Sequence, residues 1–261
     1  MIKNNLNFFN NIQKKNLDSK SIKKFTKLFP KILSKVFTDI NSSKKTLNTL
    51  NKKFNFNFEF KDLEKFKSFK TIAIIGMGGS ILGSEAISHF LKEKINKKIY
   101  FFNDLNIKKI QNFKKKKNLD KVLFFVISKS GNTVETLSNF FILKIIKKNS
   151  KNIIIISEKK NNLLYSLSKK FNLFYIEHKN YIGGRYSVLS EVGIVPAYLM
   201  GININKLRSG SLKSLKKKTQ LFLKDSTIML SSLLSFKKIN NLIFLNYCPE
   251  LEKFLFWCQQ L

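Results

Sequence analysis

From Thr71 onward the chain alternates short apolar runs with amphipathic stretches. Thr71–Ile75, Ile99–Phe102, Val122–Ile127, Ile153–Ile156 and Leu173–Ile176 are rich in Ile, Val and Phe and lack polar alternation. Runs of that length and composition predict strands buried on both faces. Helices are expected between them, from about Ser84 to Leu91, after Ser128–Thr136 to about Ile146, and near Asn162–Phe171. Alternation of this kind builds right-handed βαβ units, so the fold class is α/β, with a doubly wound parallel sheet covered on both faces. Ligands in such sheets bind beyond the carboxyl ends of the strands.

The flanks read differently. Residues 1–67 form a lysine-rich helical segment, on apolar spacing such as Phe25, Leu28, Ile32 and Val36. Asn51–Phe60 alternates Phe with Asn or Glu, which fits either a short strand or an aromatic edge. Beyond Gly184 the pattern predicts an apolar helix over Val188–Met200, where Pro196 can introduce a kink, and another over Lys206–Phe236. Asn241–Asn246 reads as a further strand, Pro249 as a helix first turn, and Glu250–Leu261 as a helix with Leu251, Phe254, Leu255 and Cys258 on one face. One strand and one helix cannot bury a second core. The expected organisation is a helical segment (1–67), a first α/β domain (68–200), and a connecting helix with the start of an incomplete second domain (201–261). On that reading the chain is a fragment.

Composition supports a folded protein. The 261 residues are 43% hydrophobic and 13% aromatic, enough for a sizeable core. Cys248 and Cys258 alone exclude a disulfide scaffold and a cysteine-based zinc site. No apolar run approaches the ~18 residues of a membrane span, and the opening MIKNNLNFFNNIQ has no signal-peptide core. The expectation is a soluble cytoplasmic protein with no membrane partner.

The formal charge of +33 brings nucleic acid into view. Yet all but two of the 49 basic residues are lysines, spread along the whole chain, and only Arg185 and Arg208 carry a guanidinium. Readers of nucleic acid favour arginine for its bidentate fork. The charge reads as a solvated lysine surface with no specific nucleic-acid partner, and a polyanion binder stays as an alternative.

Glycine is scarce and clustered. None precedes Gly76, four fall within 76–83, one is Gly131, and Gly183 and Gly184 are adjacent. Gly76-Met77-Gly78-Gly79-Ser80-Ile81-Leu82-Gly83 fails the dinucleotide fingerprint at Ile81, the phosphate P-loop at Ser84-Glu85, and the nucleophile elbow at Leu82. What remains is a tight turn with free amides and the Ser80 hydroxyl, or a glycine turn needed only for packing. Asp104, near the end of the second strand, leaves a dinucleotide cofactor open at this point.

Ser128-Lys129-Ser130-Gly131-Asn132-Thr133-Val134-Glu135-Thr136 sets hydroxyls, a glycine and a lysine between a buried strand and a helix N-terminus, a position suited to an anion. The alternative is ordinary capping by Asn132 with Glu135 three residues on. That leaves Ser128, Lys129 and Ser130 without a task. Arg185, after the double glycine, suits an anion or a developing oxyanion, or is simply a surface arginine at a helix start. His89 and His178 have no partner at ligand spacing and read as structural or exposed, and Trp257 as core.

Together GMGGSILG, SKSGNTVET, GGRYSVLSEVG and the terminal WCQQL resemble the glucose-6-phosphate isomerase family over about Thr71 to Leu261. The resemblance implies two flavodoxin-like α/β domains of the sugar isomerase (SIS) type. It implies interconversion of glucose 6-phosphate and fructose 6-phosphate without metal or cofactor, usually in a homodimer. It also implies roles. Ser128, Lys129, Ser130 and Thr133 bind the sugar phosphate, Gly131 and Asn132 complete the loop, and Gly79 and Ser80 share the pocket. Arg185 steadies a cis-enediolate, and Gln260 touches the sugar. The family's catalytic glutamate, ring-opening histidine and late lysine have no match here, which implies a chain that binds without turnover. A non-catalytic SIS-type sugar-phosphate-binding module is the alternative.

Overall fold

The computed structural model describes residues 11–12, 17–235 and 241–261. Five strands form one parallel sheet: β1 (Thr71–Gly76), β2 (Lys98–Phe102), β3 (Val122–Ile127), β4 (Ile153–Ser157) and β5 (Phe174–Glu177). Their order is β2-β1-β3-β4-β5. The chain winds outward from β1 to β2, crosses back to β3, and winds the other way to β5. This is the doubly wound pattern, with its switch point between β1 and β3.

Alternate strand residues serve opposite faces, as the two-residue period requires. Ile72, Ile74, Phe125, Ile127, Ile154 and Ile156 pack with Leu63, Phe66 and two helices, α3 (Leu82–Phe90) and α7 (Glu191–Leu199). Ala73, Ile75, Phe124, Val126, Ile153 and Ile155 pack with α4 (Ile107–Lys116), α5 (Val134–Leu143) and α6 (Leu163–Lys170). Each of these buried Ile, Leu, Val and Phe side chains contributes about 1.5–3 kcal/mol relative to exposure. The uniform apolarity of the strands follows from having helices on both sides.

Helix α1 (Ser19–Asn41) packs across the apolar face of α9 (Lys217–Ser235), and α2 is a single turn at Phe60–Leu63. Of the α1 stripe, Ile32 stays largely exposed, so this face is a helix-on-helix contact outside the main core. Asn51–Phe60 contains no strand. Phe54, Phe56, Phe58 and Phe60 instead stack in a row, edge to face at Phe54–Phe56 and Phe58–Phe60 and tilted at Phe56–Phe58, with the last three against the sheet's first helical layer, which makes it the aromatic edge.

Three expectations are corrected. The apolar stretch after Gly184 opens as a 3-10 turn over Gly184–Leu189, and α7 begins only at Glu191. The long helix from Lys206 is divided into α8 (Ile204–Ser209), a 3-10 turn and α9, because Asn203 caps α8 and Gly210 ends it; Phe236 lies outside the described residues. Asn241–Asn246 forms no strand. Leu242, Ile243 and Leu245 stand exposed there, since a strand needs a neighbouring edge and none of the sheet's strands lies beside this segment. Helix α10 (Glu252–Cys258) then closes over α3. The sequence reading also passed over α4, whose lysine-rich surface leaves only Ile110 and Phe113 to mark a buried face.

Candidate functional site

The last residues of β1 and β3, Gly76 and Ile127, pair directly in register. Adjacent strands lie about 4.8 Å apart. The glycine turn after β1 and the hydroxyl-rich loop after β3 therefore leave the sheet side by side at the switch point.

The second loop gathers its hydroxyls into one cluster. Ser128 Oγ and Thr133 Oγ1 share a hydrogen bond of 2.8 Å, and Ser130 Oγ lies 3.4 Å from each. The Gly131 amide donates to Ser128 Oγ at 3.1 Å, and the Asn132 amide to Ser130 Oγ at 3.3 Å. Ser128 is buried; Ser130 and Asn132 face solvent. The N-cap of α5 is Thr133, and it makes no side-chain cap hydrogen bond. Asn132 is not the cap. Its Oδ1 accepts instead from the Leu163 amide at the start of α6, 2.8 Å away. The capping alternative for this loop is thereby removed, and the first N–H groups of α5 keep their positive end toward the hydroxyls.

What shapes this loop is the next one along the sheet. Ser128 N donates to Ile156 O (3.1 Å), Glu158 N to Lys129 O (3.0 Å) and Leu164 N to Gly131 O (3.2 Å). Gly131 has a φ of +71°, and a Cβ there would fall 1.8 Å from Asn162 Oδ1. Asn162 is buried, caps α6 by accepting from Tyr165 N at 2.9 Å, and donates to Glu158 O at 2.8 Å. Sequence reasoning missed Asn162 as a site residue. Its placement before the apolar pair Leu163-Leu164 signals a cap, but nothing local signals contact with Gly131.

Lys129 turns aside from the hydroxyls. Its ammonium donates to the Asn180 carbonyl at 2.7 Å and lies 3.6 Å from Glu158. Burial pushes the Glu158 carboxyl up, but Lys160, with Lys129, outweighs it and holds the group below its ordinary value. His178 lies buried nearby. Desolvation brings its imidazole down to about 4, so it is neutral near pH 7. Its Nδ1–H donates to the Lys179 carbonyl at 2.9 Å, leaving Nε2 buried and unpartnered. Of the two sequence alternatives for this histidine, the structure gives the structural one.

On the other flank the glycine turn meets the double-glycine segment main chain to main chain. Ser187 Oγ donates to Gly184 O at 2.6 Å and bridges toward Gly79 O at 3.4 Å. Arg185 is exposed, and its Nη1 donates to the Gln260 carbonyl at 2.7 Å, while Trp257 Nε1 donates to the Arg185 carbonyl at 2.9 Å. The Gln260 amide lies over Gly78. Gly79 thus meets the Gly184–Arg185 backbone directly, and the turn after α10 brings Gln260 against Gly78 and the Arg185 guanidinium. Trp257, expected in the core, is only half-buried and serves as an anchor for Arg185. Ser80 ends the 3-10 turn at Gly78–Ser80, directly before α3.

Asp104 is engaged elsewhere, 3.5 Å from Lys109 on α4. Among the described residues no group of three or more His, Cys, Asp or Glu stands ready to hold a metal ion, and no helix is long and apolar enough to cross a membrane.

Fold and site together define a class, a doubly wound α/β domain with its polar loops gathered at the switch point. The phosphoglucose isomerase profile matches residues 31–261, and the chain belongs to that family. It is 38% identical over 199 residues to a probable glucose-6-phosphate isomerase of Methanococcus maripaludis, covering 68% of this chain and 45% of that protein. It is 32% identical over 221 residues to the glucose-6-phosphate isomerase of Acholeplasma laidlawii, covering 77% and 51% respectively. The chain spans about half the length of these curated relatives. Two crystal structures share the fold. A hypothetical protein of Thermus thermophilus superposes with a TM-score of 0.64 at 19% identity, over 81% of this chain and 54% of that one. A glucose-6-phosphate isomerase of Chlamydia trachomatis gives 0.54 at 17% identity, over 84% and 49%.

Proposed function

We propose that this chain supplies the phosphate-gripping part of a glucose-6-phosphate isomerase, which interconverts glucose 6-phosphate and fructose 6-phosphate through a cis-enediolate. The observation that carries the reading is the Ser128–Ser130–Thr133 hydroxyl cluster at the N-terminus of α5, where no side chain caps the helix. Three hydroxyls and the free amides of a ten-residue helix match the oxygens of a phosphate. Charge-assisted hydrogen bonds contribute about 1.5–3 kcal/mol each. Three of them outweigh the screened attraction of distant surface lysines.

Gly131 and Asn132 complete the loop, and Gly79 and Ser80 form the facing wall. Arg185 is the group that steadies negative charge developing on the enediolate oxygen, a transition-state contact worth more in a preorganised site than in water. The Gln260 amide, over Gly78, meets the sugar. The base that moves the proton between C1 and C2 is not assigned to any residue of this chain. We further propose a cytoplasmic homodimer, and a domain plan in which 68–200 is the first SIS-type unit and 201–261 leads into a second.

A second reading, a sugar-phosphate-binding module without chemistry, is favoured by one observation: the Arg185 guanidinium is engaged by the Gln260 carbonyl. Calorimetric titration with fructose 6-phosphate tests the shared part. Ser130→Ala with Thr133→Ala is expected to weaken binding at least 30-fold while preserving the circular dichroism spectrum. Equal affinity in the double variant would refute the cradle. With no base assigned in this chain, neither reading expects turnover of fructose 6-phosphate from it alone; turnover by a longer form of the protein would favour the enzyme over the module.

A further inference from the structure

The three loops at the carboxyl end of β3, β4 and β5 meet at one ammonium group. Lys129 leaves the loop after β3, donates to Asn180 O at 2.7 Å, and lies 3.6 Å from the Glu158 carboxylate after β4. Glu158 is almost wholly out of water, and about a third of the Lys129 side chain remains exposed. Asn180 belongs to the irregular stretch between β5 and the double glycine, five residues ahead of Arg185. That stretch lies outside helix and strand, so its position depends on contacts such as this one and the hydrogen bond from Thr46 Oγ1 to Tyr181 O, 2.7 Å.

A lysine that binds phosphate spends its charge on the ligand. Here the charge is spent on the protein, on a carbonyl and a buried carboxylate belonging to two other loops. We propose that Lys129 is a positioning residue rather than a phosphate ligand: its ammonium ties the hydroxyl loop to the segment carrying Arg185 and so fixes the spacing between phosphate grip and guanidinium. The inference rests on the sugar-phosphate reading above and gives one of its residues a different task. A tie of this kind matters to a ligand that reaches from one end of the site to the other. It matters little to a ligand held at one end alone.

Fructose 6-phosphate and inorganic phosphate are the two probes. Lys129→Met keeps an unbranched stem of similar length and removes the charge. The tie predicts that the variant binds fructose 6-phosphate at least 10-fold more weakly than wild type, with inorganic phosphate affinity unchanged within about threefold. Parallel losses for both probes would make Lys129 a direct phosphate ligand and overturn the proposal. Hydrogen exchange on the ligand-free chain reads the tie independently. Amides of residues 179–186 are expected to exchange at least 10-fold faster in Lys129→Met, with β1 unaffected. Unchanged protection there overturns the proposal as well. If wild type binds neither probe, the sugar-phosphate reading fails, and the exchange experiment still decides whether the tie exists.

Discussion

Gly79 and Gly184 touch main chain to main chain: a Cβ on Gly79 would lie 2.3 Å from the Gly184 carbonyl carbon and 2.4 Å from the Arg185 nitrogen. This contact joins the turn after β1 to the segment that presents Arg185. It explains why two of the chain's glycine clusters, a hundred residues apart, belong to one structure.

Gly79→Ala must push two stretches of backbone apart, and backbone does not yield as a side-chain tip does. The expected cost is about 2–3 kcal/mol, seen as a fall in melting temperature of roughly 4–10 °C. Gly201→Ala is the control. Gly201 has a φ of +93° but nothing within 4 Å of its added Cβ, so it bears only backbone strain of about 1–2 kcal/mol. A Gly79→Ala protein as stable as wild type would contradict the contact.

Gly131 and Asn162 are expected to couple. Gly131→Ala meets Asn162 Oδ1, and that amide is held by Tyr165, Glu158 and Lys160. Asn162→Ala alone loses the α6 cap, about 1 kcal/mol. In the double variant the contacts with Asn162 Oδ1 and Cγ are gone, while the Cβ of residue 162 still lies 2.9 Å away and the φ of +71° still strains the alanine, so urea denaturation is expected to show a cost below the sum of the singles by about 1 kcal/mol. Strict additivity would mean that the two residues do not meet.

Acid is expected to destabilise the fold through His178. Its folded pKa is depressed to about 4 by burial, against an ordinary 6.5. Between those values the unfolded chain binds the extra proton, so stability is full above about 6.5 and falls as pH drops toward 4. The lost contribution is about 3 kcal/mol at 1.4 kcal/mol per unit. Glu191, whose carboxyl burial pushes up, acts in the opposite sense, and comparison of wild type with His178→Phe cancels it. The variant is expected to show a flatter pH dependence of the unfolding free energy over this range; identical slopes would exclude the histidine.

Arg208 carries the N-terminal arm. Its guanidinium donates to Leu189 O (2.6 Å), Thr49 O (3.0 Å) and Asn51 O (2.6 Å), and lies over the Phe54 and Phe56 rings. Arg208→Met leaves three carbonyls short of a charged donor, for an expected loss of about 3 kcal/mol. Arg208→Lys recovers less than half, because an ammonium does not span the three acceptors as a planar fork does. Chemical denaturation of both variants checks the order.

The two arginines show how far local reading extends. Arg185, isolated after a double glycine, stood out in the sequence, whereas Arg208 sits in the short helix α8 and carries no local sign of its three carbonyl partners. Similarly, Asn132 and Glu135 spell a capping box, yet the structure gives the cap position to Thr133 and ties Asn132 to α6. The Asn241–Asn246 run has strand composition and no strand partner. Composition describes a preference, and pairing decides whether it is met.

The sequence by itself determined the five strands, the helices on both sides, the clustered glycines and the hydroxyl loop, because these rest on short-range periodicity and on residue types with strong backbone preferences. Only the tertiary structure decided that β1 and β3 are neighbours, that Asn162 shapes Gly131, that Gly79 meets Gly184, and that Lys129 reaches Asn180. Those relationships join residues distant in the chain, and they are fixed by the packing of whole layers, which leaves no signature in any single stretch of residues.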